Sequence, residues 1–441
     1  MNWILGTLAL LLAGLLLKLS LLVYAMYVLL GVLGLCRFFT RTWIDRLDAT
    51  RFCATDIVEI DEIASVQVEV VNRGPLAVPW LILEDSLPRD ALLQVPPRIQ
   101  AEGARLRLTR LERGESQSLS YQVSFLMRGY YQLGPLLLET GDVFGLHRRF
   151  RIAADPHFVM VLPKVLPLRG YNLSSRRPIG EIRLTHRLFE DPTRIAGIRA
   201  YQHGDPLNRI HWRATARTGQ LHSRLYESSC VAGATFLLDF HQDSYQGNGA
   251  SASAELAVTT VASLANAVYL MGQQIGFITN GLDAADRIRA EGWRAEFTTR
   301  SDAQQRARQE SPSDRLRPVV VGTGRGIGPF NRILQALARL ELGRGLEFAA
   351  LVDEAAWEIP RDTTVVVVLR QVTPATAIAL GDLVQRGFAV TTLVIAFDET
   401  VAPDWARPPE WAEMLLAEGV DFRMVNTEEM VMQLCAEAIL R

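Results

Sequence analysis

Thr363-Thr-Val-Val-Val-Val-Leu369 is followed by a stretch of helical character, Ala375–Arg386, and then by a second short apolar run, Val390–Ala396. The first run has no polar alternation, so a strand here is buried on both faces. A strand–helix–strand order of this kind reads as one unit of a mostly parallel sheet. The pattern repeats outward from it. Ala234–Asp239, Ile275–Thr279, Pro318–Gly322 and Phe422–Val425 are further short apolar runs, with helical stretches at Glu255–Met271 and Phe330–Leu342. Residues 231–441 are therefore expected to form a Rossmann-like α/β domain with helices on both faces of its sheet. A capping box, Asn426 with Glu429 three residues on, marks the start of the last helix.

Upstream the period changes. Val66-Gln-Val-Glu-Val70 and Leu119-Ser-Tyr-Gln-Val123 alternate apolar and polar residues, and Asn72-Arg-Gly74 and Arg113-Gly114 are turn signals. Several short strands at this spacing predict an antiparallel β-sandwich over 54–168. Residues 170–230 are rich in arginine, lack a clean period and read as a connector.

The chain opens with an apolar run. From Trp3 to Cys36 the one charged side chain is Lys18. As a single helix this run would measure about 51 Å, against a hydrocarbon core of about 30 Å. A break near Lys18-Leu-Ser20 gives two legs of near-spanning length, so residues 1–40 are expected to form a transmembrane helical hairpin, with one long kinked helix as the alternative. A cleaved signal peptide fits less well: the run is too long, no basic segment precedes it and no A-x-A site follows. Arg37, Arg41, Arg46 and Arg51 follow the second leg, which places the remainder of the chain in the cytoplasm by the positive-inside rule. The expected location is the bacterial plasma membrane, with the lipid bilayer as one partner. The overall expectation is a membrane-anchored α+β multidomain protein.

Composition narrows the function. The 441 residues carry 46 Lys and Arg against 48 Asp and Glu, a net charge of −2. That balance argues against a general nucleic-acid binder. Cys36, Cys53, Cys230 and Cys435 are far apart and form no CxxC pair, so neither a disulfide framework nor a zinc site is legible.

The densest motif lies in the connector, Tyr201-Gln-His-Gly-Asp-Pro-Leu-Asn-Arg-Ile-His-Trp-Arg-Ala-Thr-Ala-Arg217. Arg209–Arg217 reads as a short helix, with Arg209, Arg213 and Arg217 on one face and Trp212 and Ala216 on another. Such a face can bind an anion, or Asp205 and Glu227 can pair with it and hold the connector in place. The motif resembles the signature of the bacterial family of unknown function numbered fifty-eight, matching at Tyr201, Gly204, Asp205, Ile210, Trp212, Ala216 and Arg217. Asn208 stands where the family has its first arginine, with Arg209 next to it. A second block, Arg128-Gly129-Tyr-Tyr-Gln-Leu-Gly134-Pro135 with Asp142-Val-Phe-Gly145 after it, is similar to the same family.

This resemblance implies two membrane helices, a β-rich domain and a C-terminal domain similar to a von Willebrand factor A domain. It also implies a MoxR-type AAA+ ATPase as partner, in complex assembly, maturation or envelope stress. Asp205 is expected to pair with Arg217, and Trp212 to pack against the α/β domain. A-type domains hold Mg²⁺ through a D-x-S-x-S loop with a Thr and an Asp from later loops, hard oxygen ligands suited to that ion. Here the loop is Asp239-Phe-His-Gln-Asp243-Ser244, Thr323 is the available Thr, and Arg370-Gln371 stand where the last Asp belongs. Asp239, Asp243 and Thr323 thus describe a degenerate site. No cofactor is expected, Mg²⁺ is the alternative, and the domain is expected to serve as a docking surface.

The competing function is a nucleotide-dependent enzyme. Gly322-Thr-Gly-Arg-Gly-Ile-Gly328 follows a strand and precedes a helix, but its G-x-G-x-G-x-G spacing is not that of a dinucleotide loop, and no P-loop lysine is present. His203, His211 and His222 are not spaced as metal ligands, and no G-x-S-x-G elbow occurs. A further expectation is that the arginine-rich stretch 183–224 meets anionic lipid.

Overall fold

The computed structural model describes residues 2–145, 147–168, 189–202, 210–229, 233–247, 249–286, 317–361, 363–396 and 409–434. Contacts divide the chain into two units, one reaching to Pro163 and the other beginning at Lys164.

The first unit opens with two apolar helices, α1 (Asn2–Leu16) and α2 (Ser20–Asp45). Lys18 adopts the left-handed conformation, φ 52°, and ends α1, so the chain folds back where its one charge interrupts the apolar run. Gly14 permits close packing of the two legs, because a Cβ there would lie 3.2 Å from Leu22 and 3.3 Å from Val23. At about 39 Å, α2 is long and apolar enough to cross a bilayer, and almost none of that stretch is buried. Ala250–Leu270 passes the same length and composition test but is a core helix, largely buried. Arg151 Nη1 donates to the carbonyl of Ile44, which the end of α2 leaves open, and to that of Leu47 at the start of β1, both at 3.1 Å.

The sandwich follows directly. Its strands are β1 (Leu47–Cys53), β2 (Ile57–Val58), β3 (Ile63–Asn72), β4 (Val78–Asp85), β5 (Ile99–Gly103), β6 (Leu106–Leu111), β7 (Ser116–Phe125), β8 (Gly129–Leu133), β9 (Leu136–Gly141), β10 (Arg148–Ala154) and β11 (His157–Val161), with a short helix α3 (Arg89–Leu93). One sheet has the order β1-β3-β7-β5, a second β10-β9-β4-β6, and a third β2-β11-β8. The alternation along β3 places Val66, Val68 and Val70 in the core with Leu81, Leu83, Leu119 and Tyr121. Asn72 organises one end: its Nδ2 donates to the carbonyls of Leu76, Leu111 and Glu112, and its Oδ1 accepts from Gly74 N.

The second unit carries β12 (Phe189–Ala200), α4 (Trp212–Thr218), β13 (His222–Ser229), β14 (Gly233–Leu238), α5 (Ala250–Leu270), β15 (Gln274–Thr279), β16 (Leu282–Asp283), β17 (Val319–Gly324), β18 (Leu340–Glu341), β19 (Thr363–Leu369), β20 (Ala389–Ile395) and β21 (Asp421–Val425). The main sheet has the order β17-β15-β14-β19-β20-β21. All pairs are parallel except β15–β17. Helix Ile327–Arg339 packs beside α5, and Phe348–Ala355 and Glu410–Ala417 flank Pro374–Gln385. The continuous apolar runs of β14 and β19 are buried along their whole length, as helices on both faces require.

Two expectations need correction. The last helix, Glu428–Gln433, is capped by Thr427, whose hydroxyl accepts from Met430 N, and not by Asn426. The connector, whose sequence lacks a clean period, contains an antiparallel hairpin, β12–β13.

Candidate functional site

In a doubly wound sheet, ligands bind outside the carboxyl ends of the strands where the strand order reverses. Here that point lies between β14 and β19, and Asp239, the residue after β14, occupies it. Its N–H donates to Val368 O at 2.9 Å, which joins it to β19. The carboxylate is buried. Asn280, at the end of β15, donates from Nδ2 to Asp239 Oδ1 at 2.8 Å, and His241 N donates to the same oxygen at 3.2 Å. Asn280 is fixed in turn: Oδ1 accepts from Phe240 N at 2.6 Å, and Nδ2 also reaches Leu346 O at 3.0 Å. Tyr245 donates its hydroxyl to Asp239 O at 2.9 Å. Burial pushes the Asp239 carboxyl above the usual range, while hydrogen bonds from Ser244, Asn280 and His241 act in the opposite direction.

The three residues of the degenerate cation site do not converge. Asp243 is exposed, its Oδ1 accepting from Gln246 at 3.2 Å. Thr323 lies at the other end of the sheet. Because β17 runs antiparallel to β15, Thr279 faces Val319 and Ile275 faces Gly324, which sets Thr323 against Gly276. That is roughly 13 Å along the strand from the end that Asp239 occupies. The amide of Asn280 presents a donor to the carboxylate where a cation would need an oxygen, so these residues do not fit Mg²⁺. Arg370 does not pair with Asp239; its Nη1 is buried and has no hydrogen-bond partner. Among the described residues no three of His, Cys, Asp or Glu are grouped as a metal site.

The signature motif folds onto the β12–β13 hairpin. Tyr201 N donates to Leu221 O and His211 N to His222 O, each at 2.8 Å, and Ile210 bridges to Ser223. Helix α4 is capped by His211, whose Nδ1 accepts from Ala214 N at 3.0 Å, and ends at Gly219 with φ 71°. Among the described residues of the motif, Ile210 is the buried one. Trp212 is 65% exposed, so the packing expected of it is absent. Ala216 and Arg217 are exposed too. Helix α4 begins three residues later than the expected start at Arg209. Gly204, Asp205 and Arg209, and with them the expected Asp205–Arg217 pair, lie outside the described residues.

Residues 197–299 match the family described as "Protein of unknown function DUF58". This stretch is similar to that family. A relative, "Uncharacterized protein YeaD" of Bacillus subtilis (strain 168), is 24% identical over 218 residues, covering 49% of this chain and 51% of the relative. The chain thus matches about half the length of that protein. Solved structures resemble it only weakly. A CARDB domain from Pyrococcus furiosus is 17% identical and covers 26% of this chain and 87% of its own, with a TM-score of 0.18. A cohesin module from Clostridium perfringens is 12% identical and covers 26% of this chain and 96% of its own, with a TM-score of 0.19. Similarity at that level carries no argument.

The matched stretch runs from the end of β12 through α4, β13, β14, Asp239, α5 and β15 to Asn280, so it carries both members of the Asp239–Asn280 pair. The second motif lies outside it and is built into the sandwich. Arg51 donates Nε to Asp85 Oδ2 at 3.2 Å and Nη2 to Asp85 Oδ1, and Tyr121 donates to Oδ2 at 2.8 Å, all in the interior. Gly134, φ 93°, precedes the cis Pro135, and a Cβ on it would collide with the Arg51 guanidinium. A Cβ on Gly129 would lie 2.8 Å from the Tyr131 ring. Arg128 is buried, and Asp142 Oδ2 accepts from His147 N at 2.8 Å beside Gly145, φ 70°. Burial, then the charge of Asp85, pushes the Tyr121 hydroxyl well above its ordinary value, so it stays a donor. Apart from the exposed tip Val143-Phe144, this motif serves the fold.

Proposed function

We propose that the chain is a membrane-tethered, non-enzymatic scaffold. Helices α1 and α2 hold it in the bilayer, with the soluble units on the cytoplasmic side of a bacterial plasma membrane. The α/β unit docks a partner protein, and the family resemblance points to a MoxR-type AAA+ ATPase acting in assembly, maturation or envelope stress. The sheet order, with its single antiparallel strand at the edge, supports an A-like domain. The observation that carries the non-enzymatic reading is the engaged carboxylate at the switch point. At the end of the sheet where such a fold would take a ligand, Asp239 is buried and already accepts from Asn280 Nδ2 and His241 N.

The enzyme reading rests on the glycine loop 322–328, and its position weighs against it. The antiparallel direction of β17 sets the loop at the amino ends of the parallel strands, away from the switch point. Gly324 also has a packing reason to be glycine, because a Cβ there would lie 2.8 Å from Pro329.

The test uses the full chain in mild detergent, melted with and without ATP, NAD and Mg²⁺. The scaffold reading predicts that none of the three shifts the melting temperature. Stabilisation by a nucleotide would overturn it in favour of the enzyme. The tether is checked separately, by retention of the chain in membranes washed with alkaline carbonate.

A further inference from the structure

The turn between β9 and β10 leaves two large apolar side chains in the open: Val143 is 76% and Phe144 69% exposed. Its base is rigid. Asp142 N donates to His147 O at 3.0 Å, His147 N donates to Asp142 Oδ2 at 2.8 Å, and Trp80 Nε1 donates to Asp142 O at 3.3 Å. Gly145 in the left-handed conformation closes the turn. The tip is therefore held outward on a fixed platform, although exposing it to water brings the fold no gain.

The position of the turn along α2 supplies a reason. Helix α2 packs against β9 and β10, the two strands that the turn joins; Arg151 Nη1 donates to Ile44 O, and from there β10 runs back to the turn while α2 runs back, by about 12 Å, to Cys36. Cys36 is the last residue of the apolar run, and Arg37 is the first charge after it. A bilayer crossed by α2 would therefore end at the level of Asp142. Arg148 and Arg149 follow the turn, Arg148 exposed and 3.8 Å from Glu139. An aromatic and an aliphatic side chain at headgroup level, flanked by arginines, suit the boundary between acyl chains and anionic headgroups.

We propose that the Asp142–His147 turn is a second membrane contact, with Val143 and Phe144 seated in the bilayer interface beside α2 and Arg148 and Arg149 facing anionic phospholipid headgroups. This rests on the tether reading of α1 and α2. Attachment at two points restricts rotation of the sandwich about α2 and gives it a fixed face toward the membrane.

The experiment uses the full chain, with its four native cysteines replaced by serine, in nanodiscs of phosphatidylcholine and phosphatidylglycerol. Single cysteines introduced as Val28→Cys on α2, Phe144→Cys at the turn and Val95→Cys at the opposite end of the sandwich carry an environment-sensitive NBD label. All three positions are exposed, so labelling leaves the core intact. Doxyl-labelled lipid is then added as quencher. The proposal predicts quenching and blue-shifted emission at positions 28 and 144 and neither at 95. Quenching at 28 alone, with 144 behaving like 95, leaves the tether standing and overturns the second contact. Quenching at neither 28 nor 144 overturns both.

Discussion

Asp85→Asn is a sharp test of the buried ion pair that the second motif encloses. Asp85 and Arg51 are sequestered side by side, with Tyr121 bonded to the same carboxylate and Arg51 Nη1 reaching Asp155 O at 2.5 Å. Asparagine keeps the volume but removes the charge, which leaves a guanidinium buried without its counter-ion. Breaking one partner of such a pair costs about 3–5 kcal/mol. At roughly 2–4 °C per kcal/mol for a unit of this size, the first transition should fall by about 6–20 °C. The assay is thermal unfolding of the full chain in detergent, followed by circular dichroism. Replacing both residues, Arg51→Leu with Asp85→Leu, should cost much less than either single change, because no uncompensated charge remains. A loss below about 1 kcal/mol for Asp85→Asn, the range of an exposed pair, would refute the reasoning.

Three other predictions concern the second unit. Trp212→Ala should change stability by no more than about 0.5 kcal/mol, as expected of an exposed side chain, and a loss of several kcal/mol in denaturant titration would mean that the residue is packed. Arg370→Met should leave the chain as stable as wild type or more so, since it removes a guanidinium whose Nη1 is buried without a partner; a lower melting temperature would count against this. The folded pKa of Asp239 lies above its unfolded value of about 3.9, so between the two the folded state binds more protons and stability falls as pH rises. Asp239→Asn should flatten that slope, and parallel stability–pH curves for the two proteins would contradict it.

How legible the fold was depended on what each element buries. The strands of the α/β unit stand out because helices cover both faces, so β14 and β19 read as unbroken apolar runs. The hairpin at Lys18 was legible because one charge divides a run too long for a single span. The β12–β13 hairpin was not, since register shifts between Glu190 and Ile195 and again between Ile195 and Gly197 break the period of two. Thr323 was grouped with Asp239 because spacing along the chain is silent on strand direction, and one antiparallel edge strand moved it to the wrong end of the sheet. The sequence places Trp212 against the α/β domain, whereas Trp212 is exposed and Ile210, two residues earlier, is buried. Asn280 was overlooked, although Asn280-Gly281 after an apolar run is a turn signal and places an amide at a strand end. The Arg51–Asp85–Tyr121 cluster joins three strands through long-range contacts and leaves no local mark.

The central claim, a membrane-tethered scaffold that docks a partner protein, is tested most directly by purifying the full chain in mild detergent from its own host and identifying the proteins that accompany it by mass spectrometry. The account predicts enrichment of a MoxR-type ATPase that is lost when residues 231–441 are removed. A chain that comes out alone from cells expressing that ATPase would contradict it.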